Sequence, residues 1–293
     1  MKSNTLNINS NGYIFKTGTI KGRFGNILFS LENLFLLGKN TNSLIKIQGI
    51  KNKYDTYTVP GLIFDFRSNK SINNCEEIFL ERLLRLRHVY DESLFIDKDK
   101  WCLNYIKSFF KKVKKEHYLD DKSLVINIRG GKDIFKKNKV NTKYIQPPIS
   151  FYEHIIESNN YKDMILVTDS IKYNPVIKLL MIKYQDIELF DGDITSQVDL
   201  ILNSKNLILA RSTFSLFLAK LSKTLKHAYI WYDDDPIWNL FELTKDNCLS
   251  KNLKITKYYS NNYINSGDWE STEDQLELMV NHSVKDLNYM EIL

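Results

Sequence analysis

Leu124-Val125-Ile126-Asn127-Ile128-Arg129-Gly130-Gly131-Lys132-Asp133 is the stretch on which the fold turns. Residues 124–128, apolar apart from Asn127, read as a buried strand, and the chain then meets an arginine and two glycines. Downstream the same rhythm repeats. Pro148 to Ser158 reads as a helix entered through a proline pair, Met164 to Val167 as a strand and Pro175 to Tyr184 as a helix. Ile187 to Phe190, Leu207 to Ala210 and Ala228 to Trp231 read as strands, separated by helices over Gln197 to Asn203 and Thr213 to Leu221. Strands alternating with helices through short loops are the mark of an α/β fold, a parallel sheet covered on both faces. Ligands of such sheets sit beyond the carboxyl ends of the strands.

Upstream the pattern is mixed. Tyr13 to Lys16 reads as a short strand, Gly18 to Gly25 as a glycine-rich turn, and Asn26 to Leu37 as a helix with apolar residues at helical spacing that stops at Gly38. Leu44 to Gln48 and Leu62 to Phe66 read as strands, Glu76 to Arg87 and Lys100 to Lys115 as amphipathic helices. A length of 293 residues suits two modest α/β domains. The expected division is 1–118, 119–250 and a polar, aromatic tail over 251–293 that packs back on the first domain.

Four segments carry the chemistry. Gly22-Arg23-Phe24-Gly25-Asn26 leads into a helix; its glycines let the backbone approach a ligand, and Asn26 either caps the helix or faces a cleft. Arg129-Gly130-Gly131, with Asn127 before it and Asp133 after, suits a phosphate, because the guanidinium is a fixed charged fork and the glycines bring N–H groups close. A structural salt bridge between Arg129 and Asp133 is the alternative, and it would leave the glycines without a purpose. The spacing is not that of a P-loop. Thr168-Asp169-Ser170 ends the next strand and suits a base, a ribose or a hydroxyl, or a helix cap. Asp199 and Arg211-Ser212-Thr213-Phe214 form the fourth segment, where a helix start can offer donors to a diphosphate, or Ser212 can be a plain N-cap.

Other signals are weaker. Asp191-Gly192-Asp193 has the D-x-D form of a metal motif but reads as a turn, and Asp233-Asp234-Asp235 as a solvated charge run. His88, His117, His154, His227 and His282 lack ligand spacing, so no metal is expected. Cys75, Cys102 and Cys248 form neither a disulfide framework nor a CxxC site, which fits a reducing, cytoplasmic location. No signal peptide and no transmembrane segment of the ~18 apolar residues required is seen. The net charge of +6 is compatible with a phosphorylated ligand or with peripheral contact at an anionic membrane surface. Lysines are scattered and no groove-reading motif appears, so nucleic acid is not an expected partner.

Taken in order, these segments resemble the α-1,2-, α-1,6- and protein O-fucosyltransferase superfamily. Gly22 to Asn26 is similar to its N-terminal glycine motif, whose Asn lies in the catalytic cleft. Asn127 to Asp133 resembles H-x-R-R-G-D, whose first Arg, here Arg129, binds the donor's β-phosphate. Val167 to Ser170 resembles a further strand-end motif, and Asp199 with Ser212 to Ser215 the last one, near the nucleotide. The chain departs from the pattern where Asn127 replaces the histidine, Gly130 replaces the second arginine, and the acid stands at Asp133 beyond Lys132. The resemblance spans residues 12 to 232. It implies a GT-B enzyme of two Rossmann-like domains facing a central cleft, without metal or other cofactor. The implied donor is a sugar nucleotide, GDP-fucose before others, and the acceptor a glycan or glycoprotein bound by residues 1–118. Transfer would invert the anomeric centre, with Arg129 neutralising the leaving diphosphate, Asn26 orienting acceptor or phosphate, and Asp133 as candidate base. A different sugar nucleotide, or a carbohydrate- or nucleotide-binding protein without catalysis, are the alternatives.

Overall fold

The computed structural model of the chain describes residues 13–52, 58–59, 62–65, 77–80, 92–97, 99–108, 110, 119–136, 140–233 and 242–292. The chain divides into two compact units, Met1–Phe109 and Phe110–Leu293, both α/β.

The first unit is built on β1 (Ile14–Gly22), α1 (Phe24–Asn40) and β2 (Leu44–Asn52), with β1 and β2 parallel. Strand β3 (Thr58–Val59) and strand β4 (Leu62–Asp65) pair antiparallel with β2, and β5 (Glu77–Leu80) pairs parallel with β1. Helix α1 is apolar on almost every side, and such a helix has to be buried. Leu34, Phe35 and Leu37 are sealed off, together with Phe15 and Ile45 of the sheet. A 3-10 turn, Glu92–Phe95, and α2 (Trp101–Ser108) pack on α1, and Asp97 accepts the N–H groups of Cys102 and Leu103 at the start of α2.

Two expectations fail here. The glycine-rich turn over Gly18 to Gly25 is absent: β1 runs on to Gly22, held by its ladder to β2, and only Arg23 separates it from α1. The ladder overrides the weak strand propensity of glycine. The helix expected over Glu76 to Arg87 is a strand over Glu77–Leu80, in register with Ile14–Thr17; residues 81–87 lie outside the described set. A short apolar run fits either period, and the neighbouring strand decides between them. Helix α2 ends at Ser108, and residues 111–115 of the expected helix are not among those described.

The second unit is a seven-stranded sheet. Its elements in order are β6 (Ser123–Ile128), α3 (Lys132–Phe135), α4 (Ile149–Glu157), β7 (Asp163–Thr168), α5 (Pro175–Lys183) and β8 (Ile187–Leu189). There follow α6 (Ile194–Asn203), β9 (Asn206–Ile208), α7 (Thr213–Leu221), β10 (His227–Trp231), β11 (Lys254–Tyr259), α8 (Glu273–Asn281) and β12 (Asn288–Ile292). The strand order is β12-β11-β10-β9-β6-β7-β8, with every pair parallel except β11–β12. From β6 the chain builds outward through β7 and β8, then returns to the other side of β6 with β9 and builds outward again. This is the 3-2-1-4-5-6 order of doubly wound sheets, with its reversal between β6 and β9.

Leu124, Ile126 and Ile128 of β6 pack into a core shared with Phe151 and Ile155 of α4, Ile177 and Leu180 of α5, and Met279 of α8. Helices α6 and α7 pack on each other and share no residue with that core, which leaves them the opposite face, as right-handed crossovers require. Helix starts follow local chemistry. Asn174 caps α5 ahead of Pro175, Asp193 caps α6, Ser212 caps α7 and Thr272 caps α8. Helix α6 thereby begins at Ile194, one turn earlier than its apolar periodicity suggests, because Asp193 accepts the N–H of Ser196.

Residues 251–293, expected as a separate tail, are part of this second unit. Strand β11 extends the parallel sheet beside β10, and α8 packs on α4 and α5. The polar composition of the segment hid this, since β11 needs little apolar sequence once β10 supplies its ladder.

The sheet also half-buries a titratable group. His227 packs on Tyr229 with ring centroids 4.0 Å apart, and its Nε2 bonds the Thr256 hydroxyl at 2.8 Å. Burial first, then the charge of Lys254, pushes its pKa down to about 4. A histidine held neutral in the fold and free to protonate when unfolded stabilises fully above pH ~6.5, and that stability is lost as pH falls from ~6.5 toward 4. The expected loss is roughly 2 kcal/mol, below the full linkage value because the ring is only half-buried. Urea unfolding at pH 7 and pH 4.5 measures it: His227→Gln should flatten the difference, and an unchanged pH dependence would remove His227 from the account.

Candidate functional site

Because Ile126 lies beside Ile208 in the β6–β9 ladder, the segments that follow, Asn127 to Gly131 and Leu209 to Ser212, leave the sheet side by side at the reversal of strand order. Two of the four sequence segments thus meet at the position where doubly wound sheets hold ligands. Thr168-Asp169-Ser170 joins them from the end of β7, next to β6.

The loop after β6 is clasped to the loop after β7. Gly130 N–H donates to Asp169 Oδ1 at 2.7 Å, Arg129 Nε donates to Asp169 Oδ2 at 3.2 Å, and Arg129 Nη2 donates to Asp133 Oδ2 at 3.1 Å and Oδ1 at 3.3 Å. Asn174, already capping α5 through Val176 N–H, donates from Nδ2 to the Arg129 carbonyl at 2.9 Å. The Arg129 guanidinium also lies 6.0 Å from the Tyr144 ring. The alternative of a structural salt bridge between Arg129 and Asp133 is present in the fold: Arg129 is held between the carboxylates of Asp133 and Asp169. The argument from the glycines fails, because they have a structural purpose. A Cβ on Gly130 would stand 1.8 Å from the Ser170 carbonyl oxygen, and one on Gly131 would stand 2.7 Å from carboxylate oxygens of both Asp133 and Asp169. Only glycine lets the two loops approach this closely.

Below the clasp, α3 is braced by the C-terminal segment. Trp269 is fully buried, donates from Nε1 to the Ile134 carbonyl at 2.7 Å and meets Phe135 edge-on, and Ser271 donates to the Phe135 carbonyl at 3.0 Å. Sequence reading missed Asn174, Trp269 and Ser271. For Asn174 a signal existed, an Asn before Pro175, but it speaks only for the cap. For the other two no local pattern links residues 134–135 to 269–271.

On the β9 side, Ser212 caps α7, accepting the N–H of Ser215, and Ser215 Oγ donates to the Ala210 carbonyl at 3.1 Å. Arg211 is buried and ion-paired with Asp233 at the end of β10. Asp233, read from sequence as part of a solvated run, is therefore a half-buried ion-pair partner; Asp234 and Asp235 lie outside the described residues. Thr213 and Phe214 open α7. Beside them lies a cavity of about 60 Å³, lined among others by Arg211, Ser212, Trp231, Asp233, Glu242 and Lys257. Lys257, ion-paired with Glu242 and 5.1 Å from the Tyr232 ring, has its pKa lowered by burial.

The remaining candidates are placed elsewhere. Asp199 is buried in the middle of α6 and accepts from Asn203 Nδ2 at 2.7 Å. Gly22 ends β1 and Arg23 occupies the N-cap position of α1 without a side-chain cap bond; Phe24, Gly25 and Asn26 are helical. Asn26 is thus a first-turn residue and not the N-cap. Asp193 of the D-x-D sequence is spent on its helix cap, and no cluster of metal-binding side chains occurs among the described residues. Cys102 and Cys248 are buried free thiols, and no described helix is long and apolar enough to cross a membrane.

Compared with protein-family models, curated proteins and solved structures, the chain shows no match.

Proposed function

We propose that the chain is a glycosyltransferase that binds a sugar nucleotide at the carboxyl edge of the second unit's sheet, between the loops after β6 and β9. The observation that carries this reading is the reversal of strand order at β6 and β9, with Arg129-Gly130-Gly131 on one side and Arg211-Ser212-Thr213 on the other. The resemblance to the fucosyltransferase superfamily supports it, with GDP-fucose as first donor, a glycan or glycoprotein as acceptor, and inversion at the transferred carbon. In this reading the two units are the halves of a GT-B enzyme and the first binds the acceptor. The diphosphate lies against the start of α7, where the positive end of the helix dipole favours an anion. Charge on the leaving group is then met by the helix start, without a metal.

Calorimetric titration of the protein with GDP-fucose, GDP-mannose and UDP- and dTDP-sugars in EDTA tests the reading, with donor hydrolysis measured alongside. One donor should bind, and Arg129→Ala should weaken it at least tenfold, because the variant removes the guanidinium that pairs with Asp133 and Asp169 beside the ligand. Binding that needs added Mn²⁺ would overturn the metal-free mechanism, and no binding to any member of the panel would overturn the function.

A further inference from the structure

We propose that β12 is the contact strand of a symmetric dimer, in which two copies of the chain join their seven-stranded sheets edge to edge, antiparallel, about a two-fold axis at Met290.

A sheet edge is a row of unpaired N–H and C=O groups, and chains that stay single blunt it with short strands, charges, proline or a bulge. The far edge of this sheet is blunted in that way: β8 has three residues and exposes Glu188 at its centre. The β12 edge is not. It has five residues, Asn-Tyr-Met-Glu-Ile, without lysine or proline, and it pairs with β11 residue by residue without a bulge. The charge of Glu291 is taken up inside the sheet by Lys254 at 2.6 Å. Tyr289 and Met290, 55% and 44% exposed, stand on the two faces of the strand. The Tyr289 ring is held in place against His154 and Tyr258, with centroids 5.5 Å from each. Among the described residues no further strand pairs with β12.

Backbone direction fixes the register. Lys254 donates its N–H to the Lys226 carbonyl, and the Tyr258 carbonyl accepts the N–H of Tyr232. Lys254, Thr256 and Tyr258 therefore aim their backbone groups toward β10, and the alternate residues Ile255, Lys257 and Tyr259 aim theirs at β12. Their partners there are Ile292, Met290 and Asn288. Tyr289 and Glu291 are left with N–H and C=O pointing outward. Pairing about Met290 sets Tyr289 against Glu291 of the partner subunit, and by symmetry Glu291 against Tyr289 of the partner subunit. Each such pair exchanges both of its bonds, so every outward group is satisfied. A shift by one residue would oppose Tyr289 to a Met290 whose backbone points inward. A shift by two would oppose Glu291 or Tyr289 to its own copy and the other to a residue outside the strand. Acid against acid across a ladder is destabilising. The one register that pairs every outward group is thus also free of like charges, which is why a second copy of β12 fits this edge.

Sedimentation velocity across the micromolar range tests the dimer, with thermal melts to check that each variant folds. Wild type should dimerise reversibly. Tyr289→Pro removes an outward N–H and no bond of the β11 ladder, so it should be a monomer of unchanged melting temperature. Tyr289→Glu sets acid against acid twice and should weaken the dimer about tenfold, whereas Tyr289→Lys sets opposite charges together and should keep it. A wild type that stays monomeric, its edge left to some other chain, would overturn the proposal. So would a dimer that survives Tyr289→Pro, or one lost equally in Tyr289→Glu and Tyr289→Lys. None of these results touches the sugar-nucleotide reading.

Discussion

Replacing Trp269 by alanine should lower the free energy of unfolding by about 4 kcal/mol, in the range for a large aromatic removed from a core. Trp269 is the largest fully buried side chain among the described residues, in contact with Phe135, and it satisfies the Ile134 carbonyl. The alanine variant leaves a cavity and an unpaired buried carbonyl together. Trp269→Phe separates the two terms: it keeps most of the ring and loses the N–H, for an expected cost of about 2 kcal/mol. Because Ile134 and Phe135 form α3, directly after Arg129-Gly130-Gly131, the alanine variant should also weaken ligand binding at a distance from the ligand. Urea denaturation of both variants measures the stability term. A loss below 1 kcal/mol in Trp269→Ala would mean that residues 269–271 do not brace the loop.

Gly130→Ala is expected to be the most damaging small substitution in the second unit, by about 3 kcal/mol, the upper end for overpacking. The new methyl would meet the Ser170 carbonyl oxygen at 1.8 Å and carbon at 2.9 Å, both backbone atoms, and Ile177 Cδ1 at 3.1 Å. Backbone cannot rotate away as a side chain can, so the β6 and β7 loops must part. The bonds from Gly130 N–H and Arg129 Nε to Asp169 would open with them. Gly131→Ala is the control. Its methyl would meet the ends of two carboxylate side chains at 2.7 Å, which can turn aside, so a smaller cost is expected. Chemical denaturation of the pair, with donor affinity measured beside it, gives the comparison; equal stability of the two variants would sink the argument from loop contact.

The same residues show why the sequence was read well in some places and poorly in others. Alternation from Leu124 to Trp231 is a local signal, since a strand buried on both faces must be apolar throughout and its helices must carry an apolar stripe. Each strand and helix expected there is present, with ends shifted by a few residues. The cap at Ser212 was legible for the same reason, because the capping side chain and the N–H it accepts are three residues apart, whereas Asp193, an equally local cap, was read as part of a turn. The turn expected over Gly18 to Gly25 was misjudged because glycine spacing is also local, while the ladder that draws Gly22 into β1 comes from residues 44–52.

Sequence alone determined the α/β class, the parallel sheet of the second unit and the strand ends at which its polar residues gather, because these follow from hydrophobic period and turn chemistry within a few residues. Tertiary structure alone decided the strand order, the membership of β11 and β12 in the sheet, and the partners of Arg129. Each of these depends on groups brought together from distant positions: Asp169 lies 40 residues from Arg129 and Asn174 lies 45. A charge read from sequence is a charge in water. Its chemistry here is set by the two carboxylates that the fold places against it.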